Sequence, residues 1–198
     1  DRCLISTPMK TIFAFMLLTS CAINAQDPVT PSYSSEAPLP KGWPQPGPYN
    51  QVAEKSYPKY RAAITKGGGN TMAFWRLFGH IKKKDIPMTA PVEMALEEKD
   101  DKMKRASMAF LYQNTEVGTT GADGSEIAVE DINPEKVLSY TWMGEDNDTN
   151  MKKAKAALEA SLKERMLAPK SFRLLGYNGP GTPKTKRTYE LQAILENK

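Results

Sequence analysis

The 198-residue sequence predicts an α+β domain: an antiparallel sheet or open barrel with two helices packed outside it. Three observations carry that expectation. Two segments repeat apolar residues at helical spacing, and the segments around them alternate at strand spacing. The order strand, helix, strand, strand then occurs twice along the chain.

The elements follow in order. Gln51 to Lys55 and Lys59 to Ile64 read as strands broken at Tyr57-Pro58. Gly67-Gly68-Gly69 is a turn, and Asn70 or Thr71 can cap the helix behind it. In that helix Phe74, Leu77, Phe78 and Ile81 form one apolar face. Val92, Met94 and Leu96 alternate after Pro91, and Ala106, Met108, Phe110 and Tyr112 do the same after a charged hairpin. Val117 to Ser125 is rich in Gly and Thr and reads as a loop. The second round begins at Val137 to Met143, with Leu138, Tyr140 and Trp142 on one side. A helix from about Thr149 to Leu167 turns Met151, Ala154, Leu158 and Leu162 inward. Asn147-Asp148-Thr149 matches a glycosylation sequon but reads as its cap, and Pro169 ends it. Ser171 to Leu175 and Tyr189 to Leu195 close the domain around a Gly/Pro loop, Asn178 to Pro183.

Three regions are expected: a leader at 1–25, a linker at 26–48 and the domain at 49–198. Met9 looks like the natural start. Behind it Lys10, the apolar run Thr11 to Thr19 and the small residues ending at Ala25 form an export signal. That run is too short to span a bilayer, which takes about 20 apolar residues. Cleavage after Ala25 would release a soluble protein into the periplasm or the medium. Leu18-Thr19-Ser20-Cys21 also resembles a bacterial lipobox, the alternative being a lipoprotein anchored at Cys21, although it stands very close to Met9. Cys3 and Cys21 both lie in the leader, so the domain is expected to stand on its core without a disulfide. The linker holds seven of the fifteen prolines and reads as extended, with Trp43 packed on the domain edge.

Apolar residues make up 40% of the chain and charged ones 25%, as in an ordinary globular protein. The net charge of +4 is mild, and acids interleave with the bases, as in Glu97-Glu98-Lys99-Asp100-Asp101-Lys102, which argues against nucleic-acid binding. The single histidine, His80, rules out sites that need two. The glycine run lacks the Gly-Lys-Thr/Ser ending of a phosphate loop, and no Gly-x-Ser-x-Gly elbow occurs. A binding protein is therefore expected, not an enzyme.

Phe74-Trp75-Arg76-Leu77-Phe78-Gly79-His80-Ile81, followed by Met88-Thr89-Ala90-Pro91-Val92, resembles the signature of the SOUL/haem-binding-protein family. The likeness continues through Pro134 to Trp142, the second helix, Arg173 to Pro180 and Tyr189 to Gln192, covering roughly residues 49–195. The resemblance implies a distorted eight-stranded antiparallel barrel of two pseudo-symmetric halves with two flanking helices. It also implies haem or another tetrapyrrole bound on a hydrophobic patch beside the first helix, by a carrier, buffer or scavenger. The same architecture is similar to small-molecule-sensing domains of some bacterial regulators.

Phe74, Leu77, Phe78, Ile81 and Met88 could supply the apolar wall such a ligand needs, and Arg76 and Lys82, with Lys83 and Lys84, the cations for its carboxylates. His80 or Met88 could take the iron. The family pattern commonly has an aromatic where His80 stands, so this is not the histidine of haem-ligating relatives. The alternatives are another small hydrophobic or cationic ligand, weak hydrolysis, or a ligand-free interaction module. A lone acid inside the barrel, Glu93 or Glu190, would favour the first two, and an interior closed by core side chains the third. The domain is expected to be a monomer with a hydrophobic small molecule as partner.

Overall fold

The computed structural model describes residues 31–196 apart from Gly69 and Asp101. The expected leader, Cys21 included, lies outside the described residues. Nine strands and two helices follow one another as β1 (Val52–Tyr57), β2 (Tyr60–Thr65), α1 (Thr71–Lys83), β3 (Val92–Lys99), β4 (Lys102–Leu111), β5 (Gly121–Asp123), β6 (Ile127–Ile132), β7 (Glu135–Met143), α2 (Asp148–Glu164), β8 (Pro169–Gly176) and β9 (Thr188–Leu195). All nine strands join one antiparallel sheet in the order β1-β7-β9-β8-β3-β4-β2-β6-β5. The α+β class is as expected. The sheet curls strongly without closing, and its ninth strand is β5, a three-residue edge inside the segment read as a loop.

The twofold character is visible in the order. Outward from the central β3–β8 pair run β4, β2, β6 on one side and β9, β7, β1 on the other. Each half is strand, strand, helix, strand, strand, and its first strand crosses over: β1 pairs with β7, β6 with β2. This exchange ties the halves into one sheet.

Alternation gives the sheet two very different faces. One packs α1 on β2 and β4, and α2 on β7 and β9. Leu77 and Ile81 of α1, Met108 and Phe110 of β4, Leu138 and Trp142 of β7, and Leu158 and Leu162 of α2 all belong to this core. Asn70 opens α1 by accepting from the Met72 and Ala73 amides, and Asn147 opens α2 by accepting from Asn150.

The opposite face is the inside of the curl. Arg173 on β8 reaches the Tyr60 hydroxyl on β2 at 2.7 Å, although two strands stand between them in the sheet. Only a sheet folded over on itself brings them together. Trp43 fills this interior, 6% exposed, packed edge-on to Tyr57 and Tyr60 at 4.6 and 5.0 Å. The segment read as an extended linker therefore belongs in part to the domain. Lys41 donates its amide to Gln113, and Pro38 accepts from Ala90. A large aromatic side chain has more to gain inside the curl than on its edge. Among the described residues no helix is long and apolar enough to cross a membrane.

Candidate functional site

A groove of about 880 Å³ runs along α1 on the helical face. The face of α1 read as a single stripe divides in two. Leu77 and Ile81 point down into the core, together with Ala73. Phe74 and Phe78 turn sideways into the groove, half-buried, with their rings parallel at 6.3 Å. Trp75 stands edge-on to both at 5.6 and 5.7 Å and is 58% exposed. Phe110 supports Phe74 from beneath at 5.1 Å.

The Met-Thr-Ala-Pro-Val stretch builds the next wall. Thr89 donates its buried hydroxyl to the Leu111 carbonyl at 2.7 Å, which fixes the approach to β3 and delivers Met88 and Val92 to the groove. Met94, Met108 and Tyr189 add further apolar lining. Thioether and aromatic surfaces of this kind adapt to a flat apolar ligand. Burial raises the Tyr189 hydroxyl above its usual range, so it stays protonated.

The cations of the groove are not those the sequence suggested. Arg76 pairs with Glu126 at 2.8 Å and does not line the groove. Lys82 holds its ammonium 5.5 Å above the Phe78 ring, beside the aromatic shelf but outside the lining. Arg105 and Arg187 line it instead. Arg105 pairs with Asp146, while Arg187 donates to the carbonyls of Thr182 and Pro180 at 2.9 and 3.0 Å. A β-bulge explains Arg105. Between Ala95 and Leu96 the pairing of β3 with β4 skips Ala106, so Arg105 stands opposite Leu96 on the helical face, which strict alternation from Met108 would deny it. Arg187 carries no comparable signal in the sequence.

His80 faces elsewhere. Its ring is buried, Nδ1 lies 2.5 Å from Asp123 on β5, and Nε2 lies 2.7 Å from the Tyr112 hydroxyl. Both nitrogens are engaged, so in this arrangement neither can take a metal. The contact instead ties β5 to α1. It also holds the Asp123 carboxyl below its ordinary range, chiefly through the hydrogen bond from His80. Met88 is the only one of the two suggested iron ligands that reaches the groove.

The acids inside the curl do not stand alone. Glu190 is fully buried and accepts from Lys55 at 2.8 Å, Tyr57 at 3.1 Å, Thr141 at 3.1 Å and Gln192 at 2.6 Å. Glu93 accepts from Tyr60 at 3.1 Å and faces Arg173 at 3.3 Å. Arg173 also pairs with Glu135 at 2.9 Å and donates to Gln192 at 2.7 Å, its guanidinium lying over the rings of Trp43, Tyr57 and Tyr60. Burial alone would lower the Arg173 pKa; the facing carboxylates and tyrosines outweigh it and hold the guanidinium firmly charged. Burial raises Glu135, with Glu93 adding to the shift and Arg173 opposing it. Tyr57, Tyr60 and Tyr177 are likewise raised by burial. Most of this buried polar network is paired, but Arg173 Nη2 and the Trp43 indole N–H find no hydrogen-bond partner among the described residues.

No curated protein matches the chain in sequence. Solved structures share its fold at low identity. The C-terminal domain of EcmrR superposes with a TM-score of 0.56 at 16% identity, covering 74% of this chain and 97% of that one. The chain spans 57% of the longer EcmrR chain solved in complex with DNA. An uncharacterised conserved protein from Listeria innocua superposes with a TM-score of 0.56 at 12% identity, over 75% of this chain and 94% of that one. A protein described as a hydrolase from the same organism gives a TM-score of 0.54 at 12% identity, over 76% and 94%. At such identities the likeness is one of fold. The sequence match is more specific, for residues 47–193, from just before β1 into β9, match the SOUL heme-binding protein family, and the chain belongs to that family.

Proposed function

We propose that this protein is an exported binder of haem or a related tetrapyrrole, acting as a carrier, buffer or scavenger and not as a catalyst. The observation that carries the reading is the open groove on α1. Its volume of about 880 Å³ lies within the ~300–1,000 Å³ usual for small-molecule sites. Phe74, Trp75 and Phe78 offer a wide aromatic shelf, and Trp75 is one of three large apolar side chains left exposed among the described residues. Surface of that kind ordinarily marks a site.

The residues fit a flat apolar ring bearing carboxylates. Phe74, Phe78, Met88, Met94 and Met108 would contact its faces and edges, and Arg105 and Arg187 would meet its acid groups. When bound, the tetrapyrrole supplies the colour, and with iron the redox chemistry, that the protein lacks. With both His80 nitrogens occupied, Met88 is the one of the two suggested ligands that could approach a central iron. Packing inside the curl, with Glu190 held by its own partners, argues against a ligand or hydrolytic centre there. The signal-like run after Met9 supports export, with release favoured over an anchor at Cys21.

Titration of the purified protein with hemin tests the reading. A saturable shift of the Soret band is expected; no shift and no saturable affinity would overturn it. His80→Ala should leave the bound spectrum unchanged.

A further inference from the structure

A second, smaller cavity of about 320 Å³ lies between the β3–β4 hairpin and the start of α2. Its apolar lining is Leu96, Met103, Met151 and Leu174. Its polar lining is strongly basic: Lys102, Lys104, Arg105, Lys152 and Lys155 against the carboxylates of Asp146 and Asp148. Lys155 is committed to Glu98 and Glu159, and Lys104 to Asp100. Lys102 reaches Asp148 only at 4.0 Å, and Lys152 makes no ion pair among the described residues.

Arg105 and Asp146 line this cavity and the α1 groove alike. Their ion pair is therefore the partition between an apolar groove and a basic pocket. The pair is about one-third exposed on both sides, so it contributes little to stability and gives way at small cost. An anion arriving from the groove side would meet Arg105 first, with Lys102 and Lys152 behind it.

We propose that the basic pocket beside α2 is an anion subsite: it takes the carboxylate of an amphipathic ligand whose apolar body lies along α1, and Arg105 exchanges Asp146 for that carboxylate. The proposal deepens the tetrapyrrole reading, on which it rests for the identity of the body. A long-chain fatty acid presents the same chemistry, a carboxylate on an apolar body, so the test separates the two.

Binding of protoporphyrin IX, its dimethyl ester and oleate is measured by fluorescence on the wild-type protein and on the Lys102→Gln/Lys152→Gln variant, with thermal unfolding to confirm that the variant folds. The diacid is expected to bind about tenfold more tightly than the diester, as charge-assisted contacts allow. The double variant should weaken that preference, Arg105 being left in place, and leave diester binding unchanged. Equal affinity for diacid and diester, or a preference undiminished in the double variant, would overturn the subsite and leave the tetrapyrrole reading intact. Oleate binding that depends on the two lysines, without porphyrin binding, would support the subsite and overturn the tetrapyrrole. Binding of none of the three would overturn both.

Discussion

Trp43 and Trp75 stand on opposite faces of one curled sheet, the first 6% and the second 58% exposed. Around Trp43 lie two tyrosine rings and a guanidinium that is itself salt-bridged, and the space is filled. Around Trp75 lie phenylalanine and methionine side chains, and the space is open. Polar residues thus pack the sealed side of the sheet and apolar ones line the accessible side. The sealed side tolerates charges because its carboxylates find partners within the curl, although the Tyr33 hydroxyl, the Trp43 indole N–H and Arg173 Nη2 find none among the described residues. The open side leaves apolar surface in water, a cost that a ligand would remove. Stability and binding are in this way assigned to different faces, and substitutions can show whether they separate.

The largest effect is expected at Arg173. Arg173→Met keeps much of the stem but leaves Glu93 and Glu135 without their counter-charge, at a cost near the upper end of the ~3–5 kcal/mol typical of a broken buried pair. Chemical denaturation measures it. Glu135 already sits above its ordinary pKa through burial. Losing Arg173 raises it further, because the main opposing charge is then gone and only Lys170 still counters that burial. A carboxyl whose folded pKa is raised contributes most when protonated and loses that contribution as pH rises through the folded value. The deficit of the variant should accordingly be smaller near pH 5 than at pH 7. Adding Glu93→Gln and Glu135→Gln should recover part of it at pH 7. No recovery would mean that packing against the three rings, not charge pairing, holds the interior together.

The sequence makes one of these two faces legible and leaves the other obscure. Helical spacing locates Phe74, Leu77, Phe78 and Ile81, and alternation locates Met94 and Met108, because apolar side chains must share a face to be buried at all. It does not tell which of them touch solvent: Leu77 and Phe78 are adjacent, yet one is core and the other groove. The interior was hidden for a related reason. Arg173 and Gln192 occupy positions between apolar residues in β8 and β9, which read as solvent-facing unless the sheet is known to curl. Glu190, a candidate for the interior, carries no sign in the sequence of the partners that hold it. Trp43 was hidden by the prolines around it, and Arg105 by a bulge, which no residue type announces. Ile127 to Ile132 mixes two acids into a short alternation, Asp131 being drawn to Arg61 at 2.7 Å, and only pairing with β2 reveals it as a strand.

The pair of tryptophans gives the sharper comparison, since the same side chain can be removed from each face. Trp43→Ala empties a packed interior and costs about 3 kcal/mol. For a chain of this size that corresponds to a fall in Tm of roughly 6–12 °C. Its effect on ligand affinity should be slight, because Trp43 does not line the groove.

Trp75→Ala should do the reverse, and with the smallest effect on the fold. An exposed aromatic outside the core changes stability by no more than about 0.5 kcal/mol when truncated. The same truncation removes one of the three aromatic groups on α1, and hemin affinity should drop about tenfold, as for an aromatic anchor of a binding site. Calorimetric unfolding and hemin titration of the two variants side by side decide the matter. Loss of affinity in Trp43→Ala without loss in Trp75→Ala would place the ligand inside the curl and reverse the assignment of the two faces. Loss in both would mean that the interior shapes the groove, which the sheet could do through β3 and β8, since both present residues to each face. Gly176 makes that coupling specific: a Cβ there would lie 3.4 Å from the Tyr189 ring and 3.6 Å from Met94, so β8 and the groove lining leave each other little slack.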